Sequence, residues 1–163
     1  MTGFVSTQKV TPLTESSDDG GASVKSADFW PVIYLADLRK AKKLDGQVTT
    51  DRLMACTIQA VRHINNQLSQ WRINQSVVLN YASLADVPAE QINDESAKVW
   101  SYRDAVYSLA KALLIEGYRD IDTTRDGEKH AAALSTQIDT LWRDMRFDIN
   151  DITGRPRQLA ELV

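Results

Sequence analysis

The chain has 163 residues, a net charge of −3, a sequence pI of about 5.4 and 43% apolar residues. That is enough apolar material for one core and one domain, while the mild acidity argues against a protein whose main work is gripping nucleic acid, which needs a basic excess. One cysteine, Cys56, excludes an internal disulfide, and the lack of a hydrophobic leader or an apolar run of about 18 residues points to a soluble protein made in the cytoplasm, without a membrane partner.

Glycine and proline are few and Ala, Leu, Arg, Gln and Asp dominate, which favours helix. The expected fold is all-α: a small bundle of about four helices with a flexible N-terminal arm, a long loop and an extended C-terminal tail. The arm covers residues 1–27, with nine Ser or Thr, paired Asp18 and Asp19, paired Gly20 and Gly21, and no helical period. It reads either as a disordered leader or as a segment that folds against a partner through Phe4, Val5, Val10 and Leu13.

The helical domain, residues 28–154, opens with DFWPVIYLADLRKAKKLDG. Pro31 is tolerated at a helix start, and Leu35, Leu38 and Leu44 mark a short amphipathic stretch ending near Asp45-Gly46. Arg39, Lys40, Lys42 and Lys43 lie on its other side, read as a solvated face or as a contact for DNA or an acidic partner. A second helix is expected from Thr50, as N-cap, to Trp71, with Leu53, Thr57, Val61, Ile64, Leu68 and Trp71 on one stripe. His63 borders that stripe with no second ligand four residues away, so zinc is not indicated. Cys56, between Met54 and Ile58, reads as a small packed side chain and not a nucleophile.

Residues 72–93 break the pattern. Val77, Val78 and Leu79 suggest a short strand or extended packed segment, and Val87-Pro88 forces extension. A loop of about twenty residues is unusual inside a helical domain, which makes this the preferred partner-binding loop. A third helix from about Asp94 to Ile115 carries a main stripe at Val99, Tyr102, Val106, Leu109 and Leu113, with Trp100, Tyr107 and Leu114 apolar on a second side. Such a helix is either central to the bundle or buried against a neighbouring subunit. A fourth, from about Thr124, follows Leu134, Ile138, Leu141 and Met145, with Trp142 alongside. Gly154 and Pro156 then stop it, and residues 155–163 form the tail.

The joint IEGYRDIDTTRDGEKH, residues 115–130, gathers five carboxylates, and Asp122, Thr124, Asp126 and Gly127 match the first half of a calcium loop. Position 12 of that register is Ala133, where a bidentate glutamate is needed. No nucleophile or oxyanion donor accompanies the acids. The mechanical reading explains more: Gly117 loosens one helix end, Thr123 caps the next helix, and Asp126 completes a capping-box-like arrangement. No phosphate loop, dinucleotide fingerprint, cysteine pair or nucleophile elbow is present. The sequence assigns no catalytic, cofactor or metal residue, and an interaction protein is what elimination leaves.

The stretches FWPVIYLADLRKAKKLDGQVTTDRL (29–53), YASLADVPAEQIN (81–93), YSLAKALLIEGYRDIDTT (107–124) and RDMRFDINDITGRPRQLAELV (143–163) follow an order that resembles the head-completion proteins of P2-like tailed phages, a family of helical head-tail adaptors. Val32 and Tyr34 depart from it, standing where more polar residues are expected. The resemblance implies a non-enzymatic virion protein of the head-tail neck. It would form a ring, a dodecamer by resemblance, under the portal protein, and would stabilise the DNA-filled head. It would also offer a surface to the neck or terminator protein, with DNA passing through the lumen unread. By that analogy Trp100 and Tyr107 would pack between subunits. Val87 and Pro88 in the loop, and Arg155, Pro156, Arg157, Leu159 and Val163 in the tail, would reach neighbours, and removing residues 156–163 would abolish portal docking. The competing readings are a small intracellular helical adaptor and a DNA-binding regulator that uses the RKAKK helix.

Overall fold

The computed structural model describes residues 19–119 and 125–157. Among them the elements run β1 (Ser23–Val24), β2 (Ile33–Tyr34), α1 (Leu35–Ala41), α2 (Thr50–Gln67), α3 (Ser69–Ile73), β3 (Gln91–Ile92), β4 (Glu95–Ser96), α4 (Ala97–Arg119) and α5 (Arg125–Thr153). A π-helical turn, Asn74–Val78, and a 3-10 turn, Leu84–Asp86, lie between α3 and β3. The all-α expectation is borne out, since the strands form only two two-stranded antiparallel ribbons, β1–β2 and β3–β4.

Helix α4 is the axis. Val99, Tyr102, Val106 and Leu109 are buried on the expected stripe, and Tyr107, Ala110, Ala112 and Leu114 are buried on its other sides. Helix α2 packs on one flank and α5 on another. The alanines at 105, 110 and 112 let neighbouring backbones approach closely. Of the two readings of a doubly apolar helix, the structure realises the bundle centre: Tyr107 is 7% exposed within a single subunit. The α2 stripe also holds, with Leu53, Thr57, Ile64 and Leu68 fully buried, each aliphatic side chain contributing about 1.5–3 kcal/mol of transfer free energy. The buried Thr57 hydroxyl donates to the Leu53 carbonyl at 2.7 Å, so the core carries no orphan there.

Several local expectations are corrected. Residues 19–27, assigned to the arm, belong to the fold: Asp19 is buried, Val24 sits in the core, and β1 pairs Ser23 with Tyr34 and Val24 with Ile33. Phe4, Val5, Val10 and Leu13 lie outside the described residues. Pro31 precedes a strand and not a helix, because β2 pairs with β1 and the Leu35 amide still donates to Ala22 at 3.0 Å. Thr49, not Thr50, caps α2, its side chain accepting from the Arg52 amide, while the Thr50 hydroxyl donates to Asp19 at 2.7 Å. Helix α2 ends at Gln67, so Trp71 falls in α3. Gly117 does not end α4; its missing Cβ leaves room for the Arg52 guanidinium, 2.9 Å from where that carbon would stand, to lie over Tyr118. The Thr123 cap, the Asp126 side chain and the calcium register through Asp122 and Thr124 lie outside what is described. The ends of α4 and α5 flank that joint.

Candidate interaction surface

The expected twenty-residue loop is mostly helix and turn. Chain continuity explains this: Arg72 N–H bonds to Leu68 across the α2–α3 bend, and Leu79 N–H reaches Asn74 at 3.1 Å, closing the wider π ring. Asn80, at φ 58, ends the run in the left-handed conformation common after a helix. β-branched Val77 and Val78 favour strand by local propensity, but the bonds inherited from α3 decide. Farther on, Leu84 and Val87 are buried, Leu84 with its amide on the Phe29 carbonyl at 2.9 Å. Val87, expected to reach a neighbour, is packed in the core of the single subunit, while Pro88 beside it is exposed. Asn93 and Asp94, both at positive φ, make the two-residue turn joining β3 and β4.

The π-helical turn produces the most conspicuous surface of the molecule. Ile73, Val77, Val78 and Leu79 are 49%, 69%, 64% and 49% exposed. Only Gln75 turns fully inward, and the Ser76 hydroxyl is occupied by the Arg72 carbonyl. Four apolar side chains within seven residues thus stand in solvent on a rigid helical knob, the kind of cluster that marks a contact surface. Scattered single exposures need no such account.

This knob has a defined position relative to the end of α5. Lys98 donates to the Ile152 carbonyl at 2.7 Å and lies 5.8 Å from the Trp71 ring. It thereby ties the start of α4, the end of α5 and α3 together, with burial lowering its pKa against the opposing field of Asp151. A cavity of about 660 Å³ between α3 and α5 is lined by Gln70, Trp71 and Asn74 on one wall and Ile149, Thr153 and Arg155 on the other. Arg155, Pro156 and Arg157 are exposed. Arg157 Nε bonds to Asp151 at 3.1 Å and its guanidinium lies 5.3 Å from the Phe147 ring. Leu159 and Val163 lie outside the described residues.

A second, shallower surface collects the aromatic residues singled out in the sequence. Trp100 and Tyr107 line one cavity of about 470 Å³ together with Val32 and Tyr34, the two departures from the resembled pattern. Trp100 is half-buried, its indole N–H bonded to the Ile92 carbonyl at 2.9 Å. Arg103 lies 5.5 Å from the Trp100 ring and pairs with Glu95, holding the Glu95 carboxyl below its ordinary pKa. Burial pushes Tyr107 up to about 12, with Asp37 adding to it. Tyr34 and Ile92, about half exposed, are the members that sequence reasoning missed; the departure at Tyr34 was the available signal for one, and nothing local announced Ile92.

The basic run is divided between core and surface. Arg39 is buried against Asp19, Lys42 donates to Ser108 at 3.2 Å, and only Lys40 and Lys43 are exposed. Of the four cations, Arg39 is the one withdrawn from any phosphate contact. Among the described residues no group of three or more His, Cys, Asp or Glu is placed to hold a metal, and no helix is long and apolar enough to cross a membrane.

The model of the phage head completion protein (GPL) family matches residues 24–163. The chain belongs to that family. The head completion/stabilization protein of Escherichia phage P2 is 37% identical over 140 residues, covering 86% of this chain and 82% of the relative. No solved structure matches. The resemblance drawn from the ordered stretches is borne out, and as a member of the head completion family the chain is a structural component of the virion. The family match begins at Val24, a core residue of β1.

Proposed function

We propose that this head completion protein acts as a ring-forming adaptor beneath the portal, with the knob at Ile73–Leu79 as a principal contact surface. The observation that carries the reading is the apolar exposure of Ile73, Val77, Val78 and Leu79 on hydrogen-bonded helical and π-helical backbone. A lone subunit gains nothing from holding these side chains in water, whereas repeated contact between copies removes them from it. The Trp100 and Tyr34 surface offers a second, more polar contact, in which Trp100 serves as a rim anchor and Tyr107 supports it from below. The helical domain ends at Gly154, residues 155–163 act as a tail toward neighbours, and residues before 19 act as an arm toward portal or capsid.

In this role the protein is made in the host cytoplasm, joins the filled head and presents a docking surface to the neck or terminator protein. Its near-balanced charge suits a conduit through which DNA passes without being held by phosphate contacts. The resemblance suggests twelve copies. The test is to mix the purified full chain with portal and follow mass by size exclusion with light scattering. A closed ring on the portal is expected for the native chain. Val77→Asp with Val78→Asp should keep the native circular dichroism and lose the ring. Failure of the native chain to join the portal at any ratio overturns the reading.

A further inference from the structure

The knob needs an occupant, and the chain itself supplies one of matching chemistry. We propose that residues 158–163 of a second copy seat on the knob formed by Ile73, Val77, Val78 and Leu79, linking subunits head to tail. This rests on the ring reading above and names the contact that closes the ring. The segment's sequence, Gln-Leu-Ala-Glu-Leu-Val, places Leu159, Leu162 and Val163 at i, i+3 and i+4, the spacing by which a short helical turn presents one apolar face. Glu161 stands between them. Arg72 borders the knob, partly exposed and without a carboxylate partner among the described residues, so the charge of Glu161 is complementary to it.

The geometry of α5 decides between the tail of the same copy and that of another. Ile149 and Thr153 face the cavity shared with α3, whose other wall includes Asn74, the residue that follows Ile73 of the knob. After Gly154, at φ 75, the Arg155 amide bonds back to Asn150 at 2.9 Å, and the chain then crosses the helix. Arg157 is held on Asp151 and over Phe147. At about 100° per residue, those two positions lie roughly 120–160° around α5 from Ile149 and Thr153. Arg157 thus stands on the side of α5 turned from that cavity, and the six residues after it span at most about 20 Å. A contact between two different patches, repeated around a rotation axis, generates a closed ring.

The test is a cysteine cross-link in the full chain. With Cys56→Ala as background, Val77→Cys and Leu162→Cys are combined and oxidised, free and with portal. A ladder of disulfide-linked multimers in the portal-bound sample, lowered at least about tenfold by adding Val78→Asp, is the expected result. Monomers linked only within themselves would overturn the proposal, showing that the tail folds back on its own knob. A ring of native mass without cross-links would also overturn it, while leaving the ring reading intact. If no ring forms with portal, both fail together. As a second measure, the chain lacking residues 158–163 should stay monomeric with native circular dichroism, and a ring of unchanged mass from it would likewise exclude the tail.

Discussion

Arg39 grips Asp19 with two charge-assisted hydrogen bonds, Nε to Oδ2 at 2.7 Å and Nη2 to Oδ1 at 2.9 Å, both partners buried. A third Arg39 nitrogen donates to the Asp45 carbonyl at 2.9 Å and the Thr50 hydroxyl closes on Asp19. The clasp joins Asp19 to α1, the following loop and the start of α2. Arg39 and Thr50 together hold the Asp19 carboxyl below its ordinary pKa against the opposing effect of burial.

Asp19→Ala leaves the Arg39 guanidinium buried and unpaired, so urea unfolding should show a loss of about 3 kcal/mol. Truncation gives the complementary result. Removing residues 1–18 should leave stability within about 0.5 kcal/mol of the full chain, whereas removing residues 1–27 strips Asp19 and β1 and should lower stability by several times that amount. Equal stability of the two truncations would place the folded boundary after residue 27.

Trp30 stacks on Tyr102 with ring centroids 4.9 Å apart and planes 8° from parallel, and Phe29 meets Trp30 edge-on at 4.9 Å. The Tyr102 hydroxyl donates to Asn65 at 2.7 Å, and Asn65 donates to Ser26 at 3.1 Å. One ring thus joins α4, α2 and the segment after β1. Trp30→Ala should cost about 3–5 kcal/mol by opening a cavity. Tyr102→Phe removes only the hydroxyl and should cost about 1 kcal/mol. A larger loss for Tyr102→Phe, measured by the same chemical denaturation, would show that the hydrogen-bond chain outweighs the stacking.

The long amphipathic helices were legible because their periodicity is local: the Leu53–Leu68 stripe and the α4 stripe are buried as their spacing requires. The parts that were not legible depend on partners distant in sequence. Arg39 reads as one cation of a solvated run until Asp19, twenty residues earlier, is brought against it. Val24 and Ile33 form a ribbon that neither segment announces alone. At Val77 and Val78, strand propensity pointed one way and the helical bonds carried over from α3 went the other. The loop is singled out in the sequence by its length and broken pattern, whereas its conformation and the exposure of its apolar residues follow from that inherited helix.

Gly154 adopts φ 75 at the end of α5, a region where a side chain meets backbone strain. Nothing lies within 4 Å of an added Cβ, so Gly154→Ala tests conformation alone. It should lower stability by about 1 kcal/mol and, by disturbing the turn that precedes Arg157, weaken ring formation more than its effect on folding explains. Full retention of the ring in light scattering, with the stability loss present, would separate the turn from the tail's path.

Asp148 sets the sign of the pH dependence. Burial is the main cause that lifts its carboxyl to about 7, and Asp104 from α4 and Asp151 from its own helix add like charge, while Arg157 and Lys42 oppose them. Burial also raises Asp104. A carboxyl whose folded pKa exceeds its unfolded value binds its proton more tightly in the native state, so stability rises as pH falls from about 7 toward 4 and is flat above that window. Asp19 acts in the opposite sense, since its lowered pKa makes the native state lose stability once pH drops through the acid range below the ordinary carboxylate value. Together they place maximum stability on the mildly acidic side of neutrality. Asp148 is half-exposed, so solvent screening reduces the effect to about 1–2 kcal/mol. Asp148→Asn should therefore raise the melting temperature at about pH 8 and leave it nearly unchanged at about pH 5. An equal gain at both pH values would trace the effect to packing instead of ionisation, and a loss at about pH 8 would show the charged carboxylate to be held by Arg157 and Lys42 more strongly than burial and its acidic neighbours oppose it.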